Sequence, residues 1–240
     1  MFYCFVNPEY IKDNEISITG ENFYHLKNVR RAKVGEKIKI RSDRYIYFAT
    51  IQKIKKTEII ACINKKEKAE KIRKNKIILA PALIQEKNFD LILQFGTQLG
   101  VDEFYPMITQ NVSQKNIKPN RQERWTKIIL SASMQSQRFA PPTIFQPKEF
   151  EEILQIEALI PKIKILPYEL EKEHKLSVIT ADKNKDYIIF IGPEGGWTKE
   201  EIMIAQKNNV MLVSLGNYIL RTETASLTAL TLLNSLLGQI

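Results

Sequence analysis

The amino-acid sequence predicts two parts, a small β-barrel over 1–70 and an α/β domain over 71–240. Three observations carry this. Short runs of alternating apolar and polar residues crowd the first part. Largely apolar five-residue runs recur from residue 77 onward, separated by helical patterns. Two of those runs end at glycine-containing turns that lead into helices. Short alternating strands are stable when closure removes their edges. Strands apolar on both faces and separated by helices belong in a parallel sheet covered on both sides.

The elements follow in order. The first part reads as strand and turn throughout: Ile16 and Ile18 alternate with polar residues, as do Ile38 and Ile40. The segments 45–51 and 58–63 are rich in β-branched and aromatic residues and read as two more strands. A Lys-rich segment, 64–76, reads as a linker or solvated face. Next, 77–81 is a short apolar strand, and Phe89, Ile92, Leu93, Gly96 and Leu99 recur at helical spacing, with Gly100 at the C′ position that ends the helix. Segment 101–107 reads as a strand, 121–138 as a helix, and 162–166, 187–191 and 211–215 as buried strands. A last helix starts near Thr222 and turns Ala225, Ala229, Leu232, Leu233 and Leu236 to one face.

Composition narrows the class. At 240 residues, with 44% hydrophobic and 26% charged, the chain can bury two modest cores and is not disordered. The net charge of +9 favours a polyanionic partner, although a generally Lys-rich proteome produces the same excess. Cys4 and Cys62 are too few and too distant for a disulfide framework or a metal knuckle, and His25 and His174 are isolated. No metal site is expected. The N-terminus lacks the basic and apolar regions of a signal peptide, and no apolar stretch is long enough to span a bilayer, which predicts a cytoplasmic protein without membrane contact.

Two segments carry chemistry. In 191–201 an apolar strand runs into Gly192-Pro193-Glu194-Gly195-Gly196, a loop in which backbone can approach a ligand without Cβ obstruction. Thr198 and Glu201 form a capping box for the helix that follows, with Trp197 and Ile202 placed as its hydrophobic staple. This puts a site at the carboxyl end of a strand, where open α/β sheets bind ligands. The phosphate-binding P-loop and dinucleotide patterns are both absent. Glu194 disfavours phosphate and favours a cationic or hydroxylated ligand, such as S-adenosylmethionine with its sulfonium and ribose. In 213–226 a second apolar strand ends at Leu215-Gly216, and Arg221 stands at the turn before the last helix.

Together these segments resemble the SPOUT methyltransferases, and most closely the RsmE family of ribosomal RNA uridine-N3 methyltransferases. The matching residues are Gly192 to Gly196 with Glu200-Glu201, then Leu215-Gly216 and Ile219-Leu220-Arg221-Thr222-Glu223-Thr224-Ala225. Gln135-Ser136-Gln137-Arg138 with Pro141, and His25-Leu26 with Val29, Arg31 and Gly35, extend the resemblance over the whole chain. It implies an α/β domain closed by a trefoil knot behind a PUA-like barrel, a homodimer packed through the knot, and 16S ribosomal RNA or the small subunit as partner. S-adenosylmethionine would lie against Leu166, Gly192, Pro193, Glu194, Gly195, Gly196, Leu215, Gly216, Ile219, Leu220 and Thr224. Arg221 would stabilise charge on the uracil ring, with Glu194 or Glu223 as a base or as the group orienting Arg221. His25, Arg30, Arg31, Gln135 and Arg138 would contact RNA.

The chain departs from the family pattern at several places. Tyr3 stands where Arg is common, Phe95 and Gln98 where Lys and Glu are usual, and Thr109-Gln110-Asn111 where Ser-Glu-Arg is expected. Each exchange loses charge. Two other readings therefore stand beside the first: another SPOUT enzyme acting on a ribose hydroxyl or a different base, and a non-catalytic ribosomal-RNA-binding or assembly protein.

Overall fold

The computed structural model describes residues 1–70, 73–112, 121–160 and 162–240. The chain divides into two units, Met1–Ile72 and Arg73–Ile240.

The first unit comprises β1 (Phe2–Phe5), β2 (Ile11–Lys12), β3 (Glu15–Ile18), a short helix α1 (Gly20–Tyr24), β4 (Lys37–Ser42), β5 (Tyr45–Ile54) and β6 (Ile59–Lys68). They form one mixed sheet in the order β1-β4-β5-β6-β3-β2. Ile16, Ile18, Ile38, Ile40, Ala49, Ile51, Ile59 and Ala61 alternate along these strands and are buried on one side. Two register shifts between β5 and β6 add the twist that curls the sheet around this core.

Three local expectations change here. The first unit is not all strand and turn, because α1 continues into a wider helical turn, His25–Val29, with Leu26 buried beneath it. The N-terminal segment is itself a strand, β1, paired in parallel with β4. Segment 64–76 is not simply a linker, since β6 runs through Lys68 opposite β5. The Lys66 ammonium sits 3.8 Å from the centre of the Tyr45 ring and 5.5 Å from that of Tyr47. Residues 71 and 72 of that segment lie outside the described residues.

The second unit begins with β7 (Ile77–Pro81) and α2 (Glu86–Gln98), then β8 (Glu103–Phe104), β9 (Met107–Ile108), α3 (Arg121–Gln135), β10 (Thr143–Ile144), β11 (Lys148–Glu149) and α4 (Phe150–Leu154). It ends with β12 (Ile163–Pro167), β13 (Tyr187–Ile191), α5 (Lys199–Lys207), β14 (Val210–Val213) and α6 (Thr222–Leu236). The main sheet is parallel throughout, in the order β10-β8-β7-β13-β12-β14. Its central strands are apolar on both faces because both are covered. Ile77, Leu79, Tyr187, Ile189 and Ile191 pack with α2, α3 and α6. Ile78, Ala80, Ile188 and Phe190 pack with α4 and α5. Against the first face Phe89 of α2 and Trp125 of α3 meet with ring centres 4.9 Å apart.

The helix ends explain the remaining differences. α2 stops where Gly100 takes φ +92°, the left-handed conformation that favours glycine. The helix expected over 121–138 stops at Gln135, because Gln137 adopts φ +52°. The Arg138 N–H then donates to Ser133 O and the Gln137 N–H to Met134 O, a Schellman closure built without glycine. The strand expected over 101–107 splits into β8 and β9 at Pro106, which has no N–H for the ladder. The strand expected over 211–215 is β14, shifted back to Val210–Val213. Among the described residues no helix is long and apolar enough to cross a membrane, and no cluster of His, Cys, Asp or Glu could hold a metal ion.

Candidate functional site

Strands β13, β12 and β14 are adjacent and parallel, so their carboxyl ends open at one edge of the sheet. A cavity of about 840 Å³ lies there. Its walls are three loops, one after each strand: Pro167 to Glu169, Ile191 to Trp197, and Ser214 to Leu220, with the start of α6 and with Gln85 and Asn88 at the start of α2.

The loops are held by a few polar ties. The Thr222 hydroxyl, on the first residue of α6, donates to the Gly192 carbonyl at 3.0 Å. The Asn111 amide donates to the carbonyls of Gly195 and Gly196 at 3.2 and 3.1 Å. A Cβ on Gly195 would come within 2.9 Å of the Asn111 Cβ, so this close approach requires glycine. Past the loop, Thr198 and Glu201 form the expected capping box, and Trp197 and Ile202 share one core cluster. The buried Glu201 carboxylate also accepts the Gln110 N–H at 2.9 Å, tying the 109–111 turn to the helix start. Asn111 thus clamps the glycine loop, and Gln110 the helix cap that follows it.

Charge on the walls is one-sided. The cavity is lined by the carboxylates of Glu169, Glu194 and Glu223 against the single guanidinium of Arg221, in a chain of net charge +9. Such a lining attracts a cation and repels phosphate. Glu194 and Arg221 are exposed. Glu223, in the first turn of α6, differs: its Oε2 is shielded from solvent and has no hydrogen-bond partner among the described residues. A shielded carboxylate oxygen without a donor is costly, and a ligand that brings one relieves the cost.

Of the residues singled out from the sequence, Gly192, Pro193, Glu194, Gly195, Gly196, Leu215, Gly216, Ile219, Leu220, Arg221 and Glu223 line this cavity together. Leu166 does not; its side chain is buried in the core beside Phe190. Thr224 is exposed outside the lining. Gln135 and Arg138 are also absent from it. Arg138 is not a free cation offered to RNA: its guanidinium donates to Thr97 O at 2.7 Å and Ala140 O at 3.3 Å and lies 3.6 Å from Asp102. Burial pulls its pKa down to about 10, partly offset by Asp102.

The remaining candidates belong to the first unit. His25 stacks on Phe2 with ring centres 5.6 Å apart, Arg30 pairs with Glu36 at 2.9 Å, and Arg31 is exposed with φ +53°. Tyr3 is buried, and desolvation pushes its hydroxyl up to about 12. Reasoning from sequence missed Gln85, Asn88, Tyr168 and Glu169, while Asn217 and Tyr218 lie within the loop from Leu215 to Leu220 that it singled out. Tyr168 and Glu169 directly follow a strand end, a signal that points to them; Gln85 and Asn88 carry no local mark.

Comparison with known proteins bears on the whole chain. The RNA methyltransferase domain family matches residues 70–234, and the RNA methyltransferase PUA domain matches 18–63. The chain is 32% identical over 233 residues to the ribosomal RNA small subunit methyltransferase E of Mesomycoplasma hyopneumoniae, covering 96% of this chain and 98% of that one. It is 31% identical to the Bacillus subtilis protein of the same name, covering 90% and 88%. A methyltransferase from Legionella pneumophila, solved with S-adenosylmethionine, superposes with a TM-score of 0.87 at 26% identity, covering 98% and 97%. The Neisseria gonorrhoeae ribosomal RNA small subunit methyltransferase E bound to S-adenosylmethionine gives 0.83 at 26% identity, covering 98% of each chain.

The inward Arg138 yields a test. Arg138→Ala takes the Thr97 carbonyl's donor and one of the two guanidinium groups beside Asp102, which keeps Arg73, and is expected to lower unfolding stability by about 1–3 kcal/mol in urea titration. Unchanged stability with weakened RNA binding would return Arg138 to an RNA contact.

Proposed function

The chain belongs to the RsmE family of small-subunit ribosomal RNA methyltransferases, and we propose that it moves a methyl group from S-adenosylmethionine to N3 of a uridine in 16S ribosomal RNA. The observation that carries the proposal is the acidic, backbone-walled cavity with Arg221 and Glu223 on its wall.

The cavity suits this cofactor on its own terms. Its volume lies within the roughly 300–1,000 Å³ of small-molecule sites. Leu215, Ile219 and Leu220, with the main chain around them, offer an apolar slot and backbone donors for an adenine. Glu169, Glu194 and Glu223 offer acceptors for ribose hydroxyls, an ammonium and a sulfonium. When bound there, S-adenosylmethionine supplies an electrophilic methyl and takes back the electron pair of its carbon–sulfur bond.

The chain's own residues do the rest. Uracil N3 carries a proton at neutral pH, so its lone pair becomes nucleophilic only as that proton leaves. Glu223, less exposed than Glu194 and two residues from Arg221, accepts it. Solvent already serves the exposed Glu194, which is left to hold cofactor. As N3 loses its proton, negative charge spreads to the ring carbonyls, where the Arg221 guanidinium stabilises it. The loops align the reacting atoms and keep water out, which is most of what a displacement at a sulfonium requires.

Binding of the RNA phosphates falls to surfaces outside this acidic cavity, where the chain's cationic excess lies. His25, Arg30 and Arg31, with Gln135, supply phosphate and sugar contacts that set register and respond to salt. The protein works in the cytoplasm as a homodimer packed through the knot and α6. A monomer mass by light scattering, with cofactor binding intact, would remove the dimer.

The test of the chemistry is kinetic. With small-subunit ribosomal RNA saturating, Arg221→Ala is expected to cut the single-turnover rate by about 100- to 1,000-fold with RNA affinity unchanged. Glu223→Gln slows the same step, and Glu194→Gln acts mainly on cofactor affinity. A larger loss of rate in Glu194→Gln than in Glu223→Gln would transfer the proton acceptor to Glu194. Methylated product that is not N3-methyluridine by mass spectrometry would overturn the assignment of the target atom.

A further inference from the structure

We propose that Tyr218 is a stacking platform at the cavity mouth, on which an unpaired RNA base rests while the target uridine is methylated. The proposal rests on the function given above and names how that site takes hold of its substrate. Uracil N3 lies on the pairing edge of the base and points into the helix in any duplex. A uridine methylated there is therefore presented single-stranded or turned out of its stack. A base taken out of a stack loses the π contacts of its neighbours, and proteins that hold such bases replace those contacts with aromatic side chains.

The cavity is lined by three aromatic side chains, and two of them are committed elsewhere. Trp197 is buried against Phe150, ring centres 5.0 Å apart, and Tyr168 packs against the same core. Tyr218 is 87% exposed, and its neighbour Ile219 is 86% exposed. Among the described residues these are the most exposed large hydrophobic side chains, and Tyr218 makes no ring contact or side-chain hydrogen bond there.

The loop that carries the ring is nonetheless fixed close to the chemistry. Its loop is anchored on one side by hydrogen bonds between the Ser214 hydroxyl and Gly216, and on the other by the Thr222–Gly192 tie. Tyr218 is three residues from Arg221 and lies between the two stretches that match the family motif, Leu215-Gly216 and Ile219 to Ala225. It is an exposed, anchored aromatic at the mouth of an acidic pocket. A base is the occupant that fits: it is neutral, flat and tolerant of carboxylates that repel its own phosphates.

The experiment compares wild type with Tyr218→Ala, Tyr218→Leu, Tyr218→Phe and Tyr218→Trp. Three quantities are read at one fixed salt concentration: S-adenosylhomocysteine affinity by calorimetry, affinity for small-subunit ribosomal RNA without cofactor, and kcat/KM for its methylation. Stacking predicts unchanged S-adenosylhomocysteine affinity in all four variants. RNA affinity and kcat/KM should fall roughly 10- to 100-fold in the Ala and Leu variants and stay near wild type in Phe and Trp. A Leu variant as good as wild type would show that apolar area, not a π face, is what matters, and would overturn the proposal. Loss of S-adenosylhomocysteine affinity in Tyr218→Ala would make the ring a cover for the cofactor, and a shift to monomer would make it a contact between copies; either overturns it. A wild type that binds RNA without methylating it would defeat the function proposed above, while the RNA affinities of the variants would still decide for or against stacking.

Discussion

The hydrogen bond from the Thr222 hydroxyl to the Gly192 carbonyl is the constraint on which the site depends. Strands β13 and β14 are not neighbours, because β12 lies between them. The loops that follow them meet over the end of β12, and this bond joins them where α6 begins. Thr222 is buried, and the residues on either side of it are Arg221 and Glu223. One contact therefore sets the helix start, the cation and the carboxylate relative to the glycine loop. Leaving the Gly192 carbonyl without its donor would cost about 1–3 kcal/mol and free both loops together.

The site uses main chain for shape and very few side chains for chemistry. The Asn111 amide and the Glu201 carboxylate act from outside the cavity, fixing the glycine loop and its helix cap. In the turn at 109–111 an uncharged amide does this holding, by donating twice to loop carbonyls. The division of charge follows the same economy. An acidic pocket inside a basic chain suits the cationic cofactor proposed for it and disfavours phosphates.

Where the sequence was legible, a local rule decided the outcome. Two-sided apolar runs such as 187–191 became the central strands, Gly100 ended α2, and Thr198 with Glu201 capped α5. The two glycine turns were legible as one site because each follows a strand and precedes a helix. What was not legible depended on partners distant in sequence. β1 is a strand because β4 pairs with it, and β6 continues through its lysines because tyrosines of β5 lie beneath them. The end of α3 rests on Gln137 in a left-handed conformation, which no Gly or Asn announces. Arg138 looked like a cation on a helix end, and only the fold brings Thr97 and Asp102 to it. Gln85 and Asn88 reach the cavity through the packing of α2 and not through any motif.

The measurement that bears most directly on this account is the affinity of Thr222→Val for S-adenosylhomocysteine by calorimetry. Valine keeps the volume of threonine and removes the one donor that joins the two loops. The account predicts binding about 10-fold weaker, with the circular dichroism of the fold retained. Wild-type affinity in a folded Thr222→Val protein would contradict it, because the cavity would then be assembled without the tie.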